Sequence, residues 1–169
     1  MTSLNIPPEL ETIFREFRTG EFSTLAKDGT PITWPITPFY QPEQGHFLVA
    51  TSIGTPQKAF NIRRNPRVSL FFSDPTASGL IDPPAVLVQG DAEVSDEVRT
   101  WTAELDEFAR VLFLRQPVGE MYSSNFLLRY LFDWYYMRLF IYVTPRRILW
   151  WEHGDFSRVP HEMEVSYVG

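Results

Sequence analysis

Leu10, Ile13, Phe14 and Phe17 fall at i, i+3, i+4 and i+7, after Pro7 and Pro8 and ahead of Gly20. That spacing predicts one amphipathic helix whose apolar stripe caps an end of a sheet. Beyond Gly20 the helical period stops and short strand-like runs begin. Residues 22–27 and 30–37 flank Asp28-Gly29, a pair suited to tight hairpin turns because it tolerates a left-handed backbone, so two antiparallel strands are expected. A third strand is expected over residues 46–51. A short helix should open near Thr55-Pro56, with threonine as N-cap and proline at the first helical position, and should stop before Pro66. Residues 68–72 read as a fourth strand, apolar and buried on both faces.

The alternation is clearest over residues 85–94. Val86, Val88, Gly90, Ala92 and Val94 share one face, and Leu87, Gln89, Asp91 and Glu93 share the other. Before it, three prolines and a glycine in residues 73–84 predict an irregular connection. After it, Ser95-Asp96-Glu97 opens a helix with Trp101, Leu105, Phe108 and Leu112 at helical spacing, which residues 116–119 break. A second helical stretch is read over residues 120–135, giving a helical insertion of about 96–136. Residues 139–144 and 147–151 form two more strands divided by Pro145, and the tail beyond Gly154 is polar. So many short strands are most economically protected by antiparallel closure. The expectation is a mainly β barrel with flanking helices, one domain over residues 1–169.

Composition narrows the chemistry. With 169 residues, 44% of them hydrophobic, the chain can bury a core without staples. Its net charge of −6 argues against a nucleic-acid partner, which would need a basic face. The absence of cysteine excludes disulfides, thiolate nucleophiles and iron–sulfur clusters, so any redox carrier must be a bound cofactor. His46, His153 and His161 are scattered and show no metal-ligand spacing, so no metal site is expected. Residues 1–17 lack the basic flank and apolar run of a secretory leader, which makes the cytoplasm the expected location.

Residues 126–151 are strongly apolar, but Arg129, Asp133, Arg138, Arg146 and Arg147 interrupt them, so no membrane span is expected. The aromatic excess there, including Tyr130, Trp134, Tyr135 and Tyr136, points first to an interface, with a substrate-lining role for Tyr135, Tyr136 and Arg138 as the alternative. Glu104, Asp106 and Glu107 belong to a solvated helix face. Ser123-Ser124 and Ser78-Gly79 lack the context of a hydrolase nucleophile. No catalytic side chain is assigned.

Residues 51–67 read T-S-I-G-T-P-Q-K-A-F-N-I-R-R-N-P-R. They hold Lys58, Arg63, Arg64 and Arg67, four of 15 basic residues in an acidic chain, and Lys58 is one of only two lysines. A strand ending at Thr51-Ser52, turning at Gly54 and entering a helix presents hydroxyls and free N–H groups beside a lysine, which is what a terminal phosphate needs. The same spacing also describes a solvated basic helix face with a capping threonine.

The string K-A-F-N-I-R-R-N-P-R-V-S-L-F-F over residues 58–72, supported by V-L-V-Q-G-D-A-E-V over residues 86–94, resembles the pyridoxamine 5'-phosphate oxidase-like superfamily of FMN-binding split barrels. The likeness runs from about residue 13 to 151 and is thin across 101–138. It implies a homodimeric, Greek-key split β-barrel and a flavin cofactor. By that resemblance Lys58 with Thr51 and Ser52 would hold the cofactor phosphate, and Trp34, Pro35 and Ile36 would lie along the isoalloxazine ring. Gln89 and Trp151 would lie where a second subunit completes the pocket. Gln57 stands where the oxidases proper usually carry an arginine beside the lysine. Arg158 and His161 match neither the spacing nor the context of their C-terminal substrate signature, so pyridoxamine phosphate oxidation is not expected.

Three functions follow from the resemblance. The first is an FMN-dependent oxidoreductase of a small organic substrate. The second is a deazaflavin-dependent reductase, with Arg63, Arg64 and Arg67 as candidates to follow a longer anionic tail. The third is a non-catalytic flavin-binding module.

Overall fold

In the computed structural model, helix α1 (Pro8–Glu16) lays Leu10, Ile13 and Phe14 against the inner face of a curled antiparallel sheet. Residues 3–52, 54–98 and 138–168 are described. Of the helical insertion expected over about 96–136, residues 99–137 lie outside them with their aromatic residues, and residues 95–98, where it was expected to open, form a bend and not a helix.

Seven strands form the main path: β2 (Gly20–Leu25), β3 (Pro31–Ile36), β4 (Phe39–Gln41), β5 (His46–Ser52), β6 (Arg67–Phe72), β7 (Ala85–Val94) and β8 (Arg138–Trp151). Their order across the sheet is β3-β2-β6-β7-β8-β5-β4, and every neighbouring pair is antiparallel. Helix α2 (Gln57–Arg64) connects β5 to β6. Strand β9 (His161–Glu164) pairs with β8, and β1 (Ser3–Leu4) pairs with β10 (Tyr167–Val168) in a small separate sheet. The architecture is the expected split barrel, mainly β with flanking helices.

The core is built from rings. Phe14 lies 5.4, 4.8 and 5.1 Å from the ring centroids of Tyr40, Phe47 and Phe72. Fully burying one such side chain contributes roughly 1.5–3 kcal/mol. The alternation over 85–94 holds, with Val86, Val88, Gly90, Ala92 and Val94 all buried. A second small core, Leu48 and Phe140 with Phe39, Ala50 and Tyr142, lies apart from the first.

Several expectations are corrected. The hairpin loop is residues 26–30 rather than a two-residue turn. The Ala26 N–H donates to the Thr30 carbonyl, and the Asp28 carboxylate accepts from the Thr30 N–H. That side-chain bond competes with further strand pairing. Strand β6 is buried on one face only, since its positions alternate between buried and more exposed. Within the tail read as polar, residues 161–164 and 167–168 form two strands for which no expectation was made.

Pro145 does not divide two strands. It sits inside β8 at a register shift opposite Gly90, where the ladder skips a residue and requires no N–H from proline. The strands approach so closely here that a Cβ on Gly90 would lie 2.3 Å from the Thr144 carbonyl oxygen.

Candidate ligand site between helix α2 and the β2–β3 hairpin

Strand β5 delivers Thr51 and Ser52 to a tight turn that leads into α2. The Thr55 N–H donates to the Ser52 carbonyl at 3.1 Å, and the buried Thr51 hydroxyl donates to the Thr55 carbonyl at 3.0 Å. Ser52 Oγ accepts from the Gly54 N–H at 3.2 Å. Thr51 therefore spends its proton on the turn, whereas among the described residues the Ser52 hydroxyl only accepts. The helix opens with Pro56 at the N-cap and no side-chain cap, so Thr55 is not the capping residue expected. Its carbonyl is held by Thr51, and the helix begins beyond it.

Lys58 leans onto the hairpin. Its Nζ stands 4.8 Å from the centroid of Trp34 on β3, a cation–π contact. The lysine is half-buried, and that burial lowers its pKa below the ordinary 10.5. Among the described residues no carboxylate pairs with it. A partly desolvated ammonium with an aromatic face beneath it favours an anion that would restore its solvation.

Beside it, Gln57, Asn61 and Arg64 occupy one helix face. Gln57 Nε2 and an Arg64 Nη2 both donate to Asn61 Oδ1, at 2.9 and 2.6 Å. Asn61 Nδ2 donates to Thr24 Oγ1 at 2.8 Å. Gln57 and Arg64 also line a cleft of about 560 Å³ with Ala26, Lys27 and Asp28 of the hairpin loop.

The other candidates go elsewhere. Ile36 shares Trp34's face of β3, while Pro35 alternates to the opposite, exposed face. The Arg63 guanidinium donates to the Ser95 carbonyl at 3.4 Å, and Arg67 approaches Asp91 at 4.0 Å. Gln89 and Trp151 sit on the outward face of β7 and β8, where Trp151 packs against Phe71 and Phe156. The structure thus gathers Trp34, Thr51, Ser52, Gln57 and Lys58 around the start of α2, and sets Arg63, Gln89 and Trp151 apart from them.

Two residues of the site escaped the sequence reading. Thr24 and Asn61 are 1% and 0% exposed, polar side chains on otherwise apolar faces. Asn61 lies one residue before Ile62 on the buried stripe of α2, and that was the available signal.

A sequence model of the family described as pyridoxamine 5'-phosphate oxidase matches residues 6–118. The chain belongs to that family. No curated protein matches the chain.

Solved structures agree on the fold. General stress protein 26 from Bacillus anthracis str. Sterne is 19% identical, with 93% of this chain and 96% of that one covered and a TM-score of 0.60. A structure named F420 reductase is 19% identical over 85% and 98% of the two chains, with a TM-score of 0.56. A heme binding protein from Mycobacterium smegmatis is 17% identical with a TM-score of 0.57, covering 94% of this chain and 59% of its own. These likenesses show the fold alone. Among the described residues no cluster of histidine, aspartate and glutamate could hold a metal, and no helix is long and apolar enough to cross a membrane.

Proposed function

We propose that the protein is an FMN-dependent oxidoreductase acting on a small organic substrate as a homodimer. The observation that carries the reading is Lys58, a half-buried ammonium without a carboxylate partner among the described residues, poised on Trp34 at the start of α2. Lys58 and the Ser52 hydroxyl, which only accepts among the described residues, suit the cofactor phosphate because both can donate to an anionic acceptor. Trp34 supplies an aromatic face that orients a ring and keeps water from the lysine. The flavin, when bound, supplies the hydride or electron transfer, so the protein needs no nucleophile of its own.

FMN suits the site better than a deazaflavin with a long anionic tail. Arg63 and Arg67 are directed to Ser95 and Asp91, and Arg64 to Asn61, so among the described residues these three offer no row of open cations for such a tail to follow. The named F420 reductase neighbour keeps the deazaflavin in the test. The outward sheet face supports a dimer, because half-buried Phe71, Leu87, Leu149 and Trp151 lie there beside the exposed Phe156.

An absorption and fluorescence titration of the purified protein with FMN, and separately with a deazaflavin cofactor, tests the reading. Saturation by FMN at one per subunit and bleaching by reduced nicotinamide are the expected results. Saturation by the deazaflavin alone would replace FMN with that cofactor. Binding without reduction by any donor would leave a flavin-binding module, and binding of neither would overturn the proposal.

A further inference from the structure

Asn61 makes no contact with open solvent, yet it is the most connected polar side chain of the site. Its orientation follows from its partners. A guanidinium can only donate, so the Asn61 oxygen must face Arg64, and Gln57 turns its own NH2 to the same oxygen. The Asn61 NH2 is then left for the Thr24 hydroxyl, which accepts. Leaving that amide unpaired in the core would carry a desolvation penalty, so the bond fixes where α2 sits on β2.

The helix meets the hairpin at a second point, on β3. Lys58 lies one helical turn before Asn61, and Trp34 is the cross-strand partner of Phe22, two residues before Thr24 on the same inner face. A helix fixed to the hairpin at Asn61–Thr24 can neither roll nor slide without carrying Lys58 off Trp34.

We infer that Asn61 is a positioning residue for the anion site, holding Lys58 over Trp34 through its bond to Thr24. This rests on the proposed flavin-phosphate reading and adds a part of the machinery that touches no ligand. The hydroxyl of Thr24 is required for its acceptor oxygen, not for its bulk, and Asn61 for its amide.

The test compares Thr24→Val, which keeps shape and removes the acceptor, with Thr24→Ser, which keeps the acceptor. Asn61→Ala serves as a further variant where it folds. Two readouts are taken on the full chain. The first is the preference for FMN over riboflavin, which lacks the phosphate. The second is the acetylation rate of Lys58 relative to Lys27, the only other lysine and so an internal control.

Thr24→Val should reduce the FMN-over-riboflavin preference by about tenfold, roughly what one charge-assisted hydrogen bond is worth. It should also raise Lys58 acetylation several-fold against Lys27, while Thr24→Ser changes neither. Equal losses for both flavins, or an unchanged Lys58-to-Lys27 ratio in Thr24→Val, would overturn the assignment. If the wild type shows no preference for FMN, the phosphate reading fails by itself, and the acetylation ratio still decides whether Asn61 holds Lys58.

Discussion

The ammonium of Lys58 rests 4.8 Å from the indole centroid of Trp34, so a helix residue and a hairpin residue form one charged, half-dry surface. Lys58→Ala should lower FMN affinity by about 1.5–3 kcal/mol while the far-ultraviolet circular dichroism stays that of the wild type. Unchanged affinity in a folded variant would remove Lys58 from the phosphate site.

The pH dependence of binding has a definite sign. Burial lowers the Lys58 pKa below 10.5, and a bound phosphate would favour the charged form and raise it again. FMN affinity should therefore fall as pH rises through the lowered value of the free protein, short of 10.5. Lys58→Arg does not titrate in this range and should flatten the profile, which titrations between about pH 7 and about pH 10 would show. In the free protein the same shift penalises folding at lower pH, and the penalty is relieved as pH rises towards 10.5.

Tyr40 predicts the opposite trend at alkaline pH. Burial first, then the nearby Glu11 charge, pushes its pKa from 10.0 up to about 12, against a smaller lowering by Arg15. The stability this confers is fully present below pH 10 and is lost as pH rises through about 12, because only the unfolded chain ionises early. Tyr40→Phe should be less sensitive over that window in thermal melts.

Gly90→Ala should destabilise the fold by about 1–3 kcal/mol or more, since the new methyl would meet the Thr144 carbonyl and the bulge would have to open. Urea denaturation measures it. A neutral substitution would mean that β7 and β8 yield there at little cost.

Leu149→Glu places a charge in the middle of the outward apolar face without touching the inner core. Sedimentation should show a dimer for the wild type and a monomer for the variant. A wild-type monomer, or a variant that still dimerises, would move the interface elsewhere.

Much of this was readable from residue patterns because the relevant signals are local. Leu10, Ile13 and Phe14 of α1 and the alternation over β7 announce their buried faces directly, and Pro66 marks the end of α2. The misses came from partners distant in sequence. Pro145 reads as a strand break until Gly90 is known to lie opposite it, and Asn61 reads as an ordinary helix polar residue until Thr24 is set beneath it. Lys58 and the turn at Thr51-Ser52 were legible as the candidate for the anion site proposed above. That Thr51 uses its hydroxyl to tie the turn, and that Arg63 reaches for Ser95, depends on how the loop closes.

Strand β8 lies between β7 and β5 and is the last of the seven strands on the main path to be made. While the protein is being synthesised, β5 and β7 wait with unpaired edges until residues 138–151 leave the ribosome and thread both ladders at once. An unpaired, apolar strand edge is an invitation to pair with another chain. A transcript truncated before residue 138 should therefore yield not a shorter barrel but an aggregate, and the cell's success with this protein turns on how quickly its final long strand arrives.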